Sequence, residues 1–245
     1  MIIDVHAHLD DKRFTNLDEV IKKAEKAGVK IIINCGIDHD TNVRTIKLSK
    51  KYPIIKPSLG LFPTIGEKLS KEELKKEILF IKKNKPIAIG EVGLDLAYDG
   101  DIKKQIVVFK EMIKLAKELS IPLIVHTRKA EKYVLEVLEE EKYKKVVLHC
   151  FMANKKLIEK AIELDFYFSI PVIIKKSSQF QLLTKMVRSS RLLTETDAPY
   201  LGLIKGEINT PDQIEISIKE IAKIKGWTTA ETKKVIFMNY QRLFQ

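Results

Sequence analysis

The chain has 245 residues, of which 45% are hydrophobic and 31% are charged. This composition excludes a disordered chain, and no apolar run reaches the length of about eighteen residues that a membrane span requires. The formal net charge of +11 favours polyanions such as nucleic acids as partners. A Lys-rich, Glu-rich and Ile-rich composition is also typical of heat adaptation, and most of the lysines fall on solvated helix faces.

The first six residues contain no basic region followed by an apolar stretch, so we expect no signal peptide and a cytoplasmic protein. The two cysteines, Cys35 and Cys150, are too few for a disulfide framework and too far apart for a Cys-x-x-Cys motif. Both are therefore predicted to be reduced, small apolar residues.

Short apolar segments rich in Ile and Val alternate with segments of helical period along the whole chain. The predicted strands are Ile2–Val5, Lys30–Asn34, Ile54–Leu59, Ile87–Gly90, Leu123–Val125, Val146–Leu148, Phe166–Ile170 and Leu192–Thr194. The predicted helices are Leu17–Ala27, Thr41–Lys51, Lys71–Lys83, Ile102–Leu119, Ala130–Glu140, Asn154–Leu164, Ser178–Arg188, Pro211–Lys225 and Thr229–Leu243.

This alternation predicts an α/β fold, a (β/α)8 TIM barrel that forms a single domain over residues 1–245. A doubly wound parallel sheet is the alternative, since its strands are also buried on both faces. The number of strands and the lack of a Gly-rich phosphate-binding fingerprint after the first strand favour the barrel.

Four of the five histidines fall at the carboxyl ends of predicted strands, where the active sites of barrels lie. His6 and His8 leave the first strand, His126 the fifth and His149 the sixth, whereas His39 lies in a polar loop. Because His6 and His8 are two residues apart on a strand, both imidazoles point to the same side and can face one ion.

Two acidic residues complete the set, since Glu91 and Asp197 follow the fourth and eighth predicted strands. Any one such residue could instead be a hydrogen-bonded structural group or a helix cap. Four imidazoles and two carboxylates at one rim point to metal binding, and this set exceeds what one catalytic zinc needs. Two ions are therefore predicted, with Glu91 as the carboxylate that bridges them.

Ordered motifs extend over almost the whole chain. They are Asp4–Asp10, Gly90–Asp95, Gln105 with Phe109, Pro122 with His126–Ala130, His149–Phe151, Glu195–Leu201, Asn209–Pro211 and Asn239–Phe244. In these motifs the sequence resembles the TatD deoxyribonuclease family of the metal-dependent amidohydrolase superfamily.

The resemblance implies a barrel hydrolase with two divalent ions, either Mg²⁺, Mn²⁺ or Zn²⁺. By the family pattern His6, His8, Glu91 and Asp197 hold one ion, and Glu91, His126 and His149 hold the other. Members of the family are metal-dependent DNases, and some relatives carry out other hydrolyses, including deacylation of mischarged tRNA.

The sequence departs from the family pattern at two places that face the substrate. The family usually has Gly-x-His-Pro-His after the third strand, whereas this chain has Phe62 and Thr64 in place of the two histidines. After His149-Cys150-Phe151, where the family has a Gly and a small hydroxyl residue, this chain has Met152-Ala153-Asn154. These differences bear on substrate contacts and leave the predicted metal ligands intact.

The predicted mechanism is hydrolysis of a phosphodiester by a metal-bound hydroxide, with Glu91 and Asp197 as catalytic residues and Asp197 as general base. Arg128 offers a planar fork that suits a phosphate, although a salt bridge to a neighbouring acid is an equal alternative. Asp95 and Glu195 could orient ligating histidines, with helix capping or solvation as the alternative.

The sequence is compatible with three functions. The first is a DNase, with DNA as the partner and no membrane association. The second is hydrolysis of another bond, such as an ester on aminoacyl-tRNA or a small-molecule amide, and the absence of the two histidines favours it. The third is a nucleic-acid-binding barrel without catalysis, against which the complete set of predicted ligands stands.

Overall fold

A computed structural model describes residues 1–245 as eight parallel strands arranged in sequence order around a nearly closed barrel. The strands are β1 (Ile2–Ala7), β2 (Val29–Cys35), β3 (Ile55–Leu59), β4 (Ala88–Asp95), β5 (Leu123–Arg128), β6 (Val146–His149), β7 (Tyr167–Ile170) and β8 (Leu192–Thr194). The predicted fold class is confirmed, and the doubly wound alternative is wrong because its strand order would not follow the sequence.

Ten helices cover the outside of the barrel. They are α1 (Leu17–Lys26), α2 (His39–Lys51), α3 (Pro63–Gly66), α4 (Lys71–Asn84), α5 (Ile102–Leu119), α6 (Glu131–Glu141), α7 (Lys155–Glu163), α8 (Ser178–Met186), α9 (Glu215–Lys225) and α10 (Thr229–Phe244). Short 3-10 helices occupy Val172–Lys175, Ser189–Arg191 and Pro211–Ile214. None of the helices combines the length and the apolar character needed to cross a membrane.

Local sequence signals explain where several helices begin. Capping boxes join Ser70 to Glu73 ahead of α4 and Thr228 to Glu231 ahead of α10, so that each side chain receives the other residue's backbone N–H. The strands between the helices are apolar and buried on both faces, as in β4, whose eight residues are all buried. Burial on both faces means that side chains pack both inside the barrel and between the strands and the ring of helices.

Several predicted limits differ from the structure in ways that matter for the site. Strand β1 continues to Ala7 and β5 to Arg128, so that His6 and His126 lie within strands rather than after them. The fourth strand was predicted to end at Gly90 but continues to Asp95, so that Glu91 lies inside β4 rather than after it. The polar residues Glu91 and Asp95 interrupt the apolar pattern on which the prediction rested. The one-turn helix α3, which follows Phe62, was not predicted because four residues carry no helical period.

The seam between the first and last strands is closed by individual hydrogen bonds. The Thr194 hydroxyl donates to the Ile3 carbonyl at 2.7 Å, and the Asp197 N–H donates to the His6 carbonyl at 2.9 Å. A further bond from the His8 N–H to the Ala198 carbonyl, at 2.7 Å, continues this seam beyond the strands. These bonds bring the chain after β8 against the end of β1.

Candidate metal centre

The six residues predicted as metal ligands converge at the carboxyl end of the barrel. His6 lies in β1 and His8 just after it, Glu91 in β4, His126 in β5, His149 at the end of β6, and Asp197 after β8. In each of two groups of these residues the ligand atoms all lie within 4.8 Å of one another. One group is His6, His8 and Asp197, and the other is Glu91, His126 and His149. His6, His149 and Glu195 form a third such group.

The first group gathers two imidazoles and one carboxylate. The Nε2 atoms of His6 and His8 lie 3.1 Å apart, which agrees with their placement on one side of the strand. Oδ1 of Asp197 lies 3.4 Å from Nε2 of His6 and 3.5 Å from Nε2 of His8. Three donor atoms thus face a common point, which is the arrangement that a cation requires.

The second group also has two imidazoles and one carboxylate, which is that of Glu91. Oε1 of Glu91 lies 2.9 Å from Nδ1 of His126 and 3.2 Å from Nε2 of His149. These two imidazole nitrogens lie 3.4 Å from each other. Here too, two imidazoles and one carboxylate oxygen surround a common point.

Glu91 links the two groups through its two oxygens. While Oε1 faces His126 and His149, Oε2 lies 3.3 Å from Nε2 of His8 and 3.7 Å from Nε2 of His6. Burial raises the pKa of Glu91, but interactions with the surrounding histidines outweigh burial and hold the pKa well below its ordinary value. Glu91 is therefore an ionised carboxylate with one oxygen directed at each group.

Two further carboxylates contact the imidazole nitrogens of His126 and His149 that face away from Glu91. Oδ2 of Asp95 lies 3.0 Å from Nε2 of His126, and Oε2 of Glu195 lies 3.3 Å from Nδ1 of His149. The Ser169 hydroxyl donates to Oε2 of Glu195 at 2.7 Å, and the Cys150 N–H donates to Oε1 at 2.8 Å. Carboxylates that contact the far nitrogen of an imidazole orient ligating histidines in metal sites.

Cys35 and Ser169 also belong to this arrangement, although neither is predicted from the sequence. The Cys35 carbonyl lies 2.9 Å from Nδ1 of His8, and its Sγ lies 3.4 Å from Nδ1 of His6. Both residues lie at the carboxyl ends of strands, Cys35 in β2 and Ser169 in β7. Their positions at strand ends were therefore the signal that could have identified these two residues, since neither a buried cysteine nor a serine suggested a metal site.

The backbone beside the histidines is shaped by one glycine. Gly93 in β4 pairs with His126 in β5 and has a φ of 143°, a conformation that residues with a side chain rarely adopt. A Cβ atom at this position would lie 2.0 Å from the His126 carbonyl oxygen. Glycine at this position therefore permits the close approach that carries His126 to the centre.

The charges of the centre indicate a need for cations. The carboxylates of Glu91, Asp197, Asp95 and Glu195 form ion pairs with histidines alone, and no Lys or Arg pairs with them. Burial raises the pKa of Asp197, but contacts with His6 and His8 reverse this effect and lower the pKa overall. Nδ1 of His149 is buried and has no hydrogen bond of good geometry, despite its closeness to Glu195. Buried carboxylates and imidazoles without basic side chains fit divalent metal ions.

The remaining predicted residues lie around this centre. Arg128 ends β5 and is exposed; its Nη1 donates to the Tyr98 hydroxyl at 3.2 Å and it has no carboxylate partner, which argues against the salt-bridge alternative. The Phe62 ring packs 4.7 Å from the His126 ring. His39 lies outside the centre, as predicted from its loop, and pairs with Glu77 at 2.6 Å.

Comparison with known proteins identifies the family to which this chain belongs. The family model for TatD related DNase matches residues 3–245. The chain belongs to the TatD family. It is a metal-dependent hydrolase, and the clustered histidines and carboxylates are consistent with divalent metal binding.

Relatives of the TatD family align along nearly the whole chain. An uncharacterized metal-dependent hydrolase, YabD from Bacillus subtilis, is 32% identical over 100% of this chain and 99% of its own length. The human deoxyribonuclease TATDN3 is 33% identical over 99% of this chain and 94% of its own length. The crystal structure of the TatD homologue YJJV from Escherichia coli superimposes with a TM-score of 0.91 at 26% identity, covering 99% of this chain and 97% of that chain.

Proposed function

We propose that this TatD protein is a two-metal phosphodiesterase whose substrate is DNA. The observation that carries the proposal is the orientation of Glu91, whose two oxygens face two different pairs of histidines. Oε2 lies 3.3 Å from His8, and Oε1 lies 2.9 Å from His126. A carboxylate placed in this way can bridge two ions, as two-metal hydrolases require.

The ligands divide between the ions according to the two groups. His6, His8 and Asp197 would hold one ion, His126 and His149 the other, and Glu91 would contact both. When bound, Mg²⁺, Mn²⁺ or Zn²⁺ would act as Lewis acids that stabilise charge on a phosphodiester and lower the pKa of water. Asp95 and Glu195 would keep His126 and His149 turned toward the centre.

Asp197 is the carboxylate best placed to accept a proton from the attacking water. Its side chain is 13% exposed, whereas the Glu91 side chain is 5% exposed and lies deeper among the histidines. Oδ1 of Asp197 lies 3.4 and 3.5 Å from His6 and His8, and we assign the acceptance of the proton to Oδ2. General bases act within hydrogen-bond reach of the proton they remove, and the open side of the centre provides this access.

Arg128 would bind the substrate phosphate at the edge of the centre. It lies two residues beyond His126 on the same strand, and its guanidinium has no carboxylate partner. A planar guanidinium can donate two parallel hydrogen bonds to a phosphate. The net charge of +11 and the deoxyribonuclease activity named for human TATDN3 support DNA as the substrate.

A second candidate is hydrolysis of another ester or an amide at the same centre. The observation that favours it is Phe62, whose ring packs 4.7 Å from His126 on the substrate side. An apolar ring at this place removes a polar contact that a phosphodiester could use. Aminoacyl-tRNA and a small-molecule amide are therefore the comparison substrates for any activity measurement.

The test combines metal content with cleavage of labelled DNA, with and without chelator. We expect two ions per chain in the wild type, fewer in Glu91→Ala and Asp197→Asn, and DNA cleavage that the chelator abolishes. Asp99→Asn, which changes an exposed carboxylate in the loop after β4, should keep both ions and full activity. Metal-dependent cleavage that persists in both Glu91→Ala and Asp197→Asn would contradict the assignment, and circular dichroism would show that the variants fold.

A further inference from the structure

Two arginine–tyrosine pairs lie at the mouth of the barrel beside the metal centre. In the first pair, Cζ of Arg13 lies 4.2 Å from the ring centroid of Tyr200. In the second, Cζ of Arg128 lies 5.4 Å from the ring centroid of Tyr98, and the guanidinium donates to the Tyr98 hydroxyl. Each pair therefore joins a cationic group to an aromatic ring.

The two pairs lie on opposite sides of the centre. Arg13 belongs to the loop after β1 and Tyr200 to the segment after β8, and these strands meet at the barrel seam. Tyr98 lies in the loop after β4 and Arg128 at the end of β5. In a barrel whose strands follow the order β1 to β8, the β8–β1 seam lies across the mouth from the β4–β5 pair.

Each pair also borders one half of the metal centre. The Tyr200 ring lies edge-on to the His8 ring, with the centroids 5.8 Å apart, and His8 belongs to the first group of ligands. Arg128 lies two residues beyond His126, which belongs to the second group. A substrate that crosses the centre would therefore contact one pair on each side.

Both tyrosines are open to a ligand. Tyr98 is 61% exposed and Tyr200 is 46% exposed, so that part of each ring is accessible from the solvent. Beside Tyr200 lies a cleft of about 320 Å³, within the size range of ligand sites, lined in part by Arg13, Ile204, Lys205 and Ile208. Exposed rings stack on bases. The charge of Lys205 in this cleft is offset by Glu207, so that the phosphate contact is assigned to Arg13.

The guanidinium groups are held for binding in different ways. Nε and Nη2 of Arg13 donate to the Asp11 carboxylate at 2.9 and 2.8 Å, which fixes the guanidinium over Tyr200 and leaves Nη1 free of that carboxylate. Arg128 donates to the Tyr98 hydroxyl and forms no ion pair with a carboxylate. The pair at β4–β5 is therefore the more strongly anion-binding side.

We propose that Arg13 with Tyr200 and Arg128 with Tyr98 are two nucleotide subsites that hold a strand on both sides of the scissile phosphodiester. The tyrosines stack on bases, and the guanidinium groups contact the neighbouring phosphates. Because paired bases do not expose their faces, the substrate at this mouth is an unpaired strand that extends across the centre. The inference rests on the proposed function and adds the residues that hold the strand.

The test measures cleavage of a ten-nucleotide strand by the metal-loaded enzyme. We expect Tyr98→Leu and Tyr200→Leu each to raise KM for the ten-nucleotide strand about 5- to 100-fold, which is the loss of one base–aromatic stack, with a smaller effect on kcat. Tyr98→Phe and Tyr200→Phe keep the ring and should stay near wild type. Tyr52→Leu at the end of α2 and Arg242→Gln in the last turn of α10 change residues of the same types at the opposite end of the barrel and should also leave KM unchanged.

A second readout detects stacking directly. With 2-aminopurine placed at successive positions of a strand, binding should quench fluorescence on both sides of the scissile bond, and each leucine variant should abolish quenching on its own side. The inference is wrong if DNA is cleaved while both leucine variants keep the wild-type KM and quenching. If the enzyme hydrolyses no phosphodiester of any length and leaves the fluorescence of the labelled strand unchanged, the proposed function fails and the inference fails with it.

Discussion

Asp4 accepts hydrogen bonds from both the backbone and the side chain of Thr196, and this contact ties the first strand to the segment after the last one. The Thr196 N–H donates to Oδ1 at 3.0 Å, and its hydroxyl donates to Oδ2 at 2.6 Å. Oδ1 also accepts from the His6 N–H at 3.2 Å. Because Asp197 follows Thr196, this carboxyl group joins the segments that carry His6 and Asp197.

We predict that Asp4→Ala destabilises the protein and weakens metal binding at the first group. The substitution leaves two buried N–H groups and one buried hydroxyl without their acceptor, which costs about 3 kcal/mol of unfolding free energy. Denaturant unfolding measures this loss, and elemental analysis measures the metal retained.

Asp4→Asn is the matched control for this position. Its carboxamide oxygen can still accept from the backbone N–H groups of His6 and Thr196, so we expect less than half the loss of stability. An Asp4→Ala protein within about 0.5 kcal/mol of wild type would show that the seam does not depend on this contact.

Sequence patterns predicted most of the strands and helices, and particular residues show why some of their limits were not predicted. Helix α5 was predicted with its observed limits, Ile102–Leu119, because it has five turns of clear helical period. The end of β4 was predicted too early because Glu91 and Asp95 are polar. Contacts with His126 offset the cost of burying these two carboxylates within the strand. Period and composition carry no information about such contacts.

The same limit applies to the metal centre. The six converging residues could be picked out because histidines and acids at strand ends are few and meet at one end of a barrel. Their division into two groups depends on side-chain rotamers, which set Oε1 and Oε2 of Glu91 toward different histidines. The contacts of Cys35 with His6 and His8 depend on the closeness of β1 and β2, and an apolar thiol gave no sign of them.

The carboxylates behind the histidines give a second prediction. We expect Asp95→Asn and Glu195→Gln each to lower metal affinity about 10- to 100-fold, because His126 and His149 lose the charge that orients them. Calorimetric titration of the metal-free protein with Mn²⁺ or Zn²⁺ measures the change in affinity. Asp99→Asn is the control, since this exposed neighbour of Asp95 contacts no histidine. Unchanged affinity in both variants would assign Asp95 and Glu195 a structural role alone.

Gly93 gives a third prediction, on the backbone beside His126. In Gly93→Ala the new methyl group would lie 2.0 Å from the His126 carbonyl oxygen, and the φ of 143° is unfavourable for alanine. We expect a loss of about 4 kcal/mol or more in unfolding free energy and loss of the ion held by His126. Thermal unfolding and metal analysis measure the two effects.

Gly206→Ala separates steric crowding from backbone conformation at Gly93. Gly206 also has a positive φ, of 90°, but a Cβ atom added there would have no other atom within 4 Å. Its substitution should therefore cost only about 1–2 kcal/mol and leave metal binding intact. Equal losses in the two variants would mean that the contact with His126 contributes nothing.

The fourth prediction concerns the pH dependence of stability at Asp165, far from the metal centre in sequence and contacts. Hydrogen bonds from Arg191, together with the nearby charge of Arg188, lower the pKa of Asp165. The carboxyl group of Asp165 therefore binds its proton more tightly in the unfolded state than in the folded state. The ion pairs stabilise the protein at pH values above the ordinary carboxyl pKa of about 3.9. This stabilisation is lost as the pH falls through the lower pKa of the folded state.

Asp165→Asn removes this titration and keeps the shape of the side chain. Because the Asp165 side chain is 40% exposed, we expect the variant to be less stable by no more than about 1 kcal/mol at pH 7 and low salt. The difference should shrink as the pH is lowered from about 5 toward 3 and as salt is added, because protonation and screening both weaken the ion pairs. Urea unfolding of both proteins across this range measures the difference, and a gap that widens toward low pH would contradict a lowered pKa for Asp165.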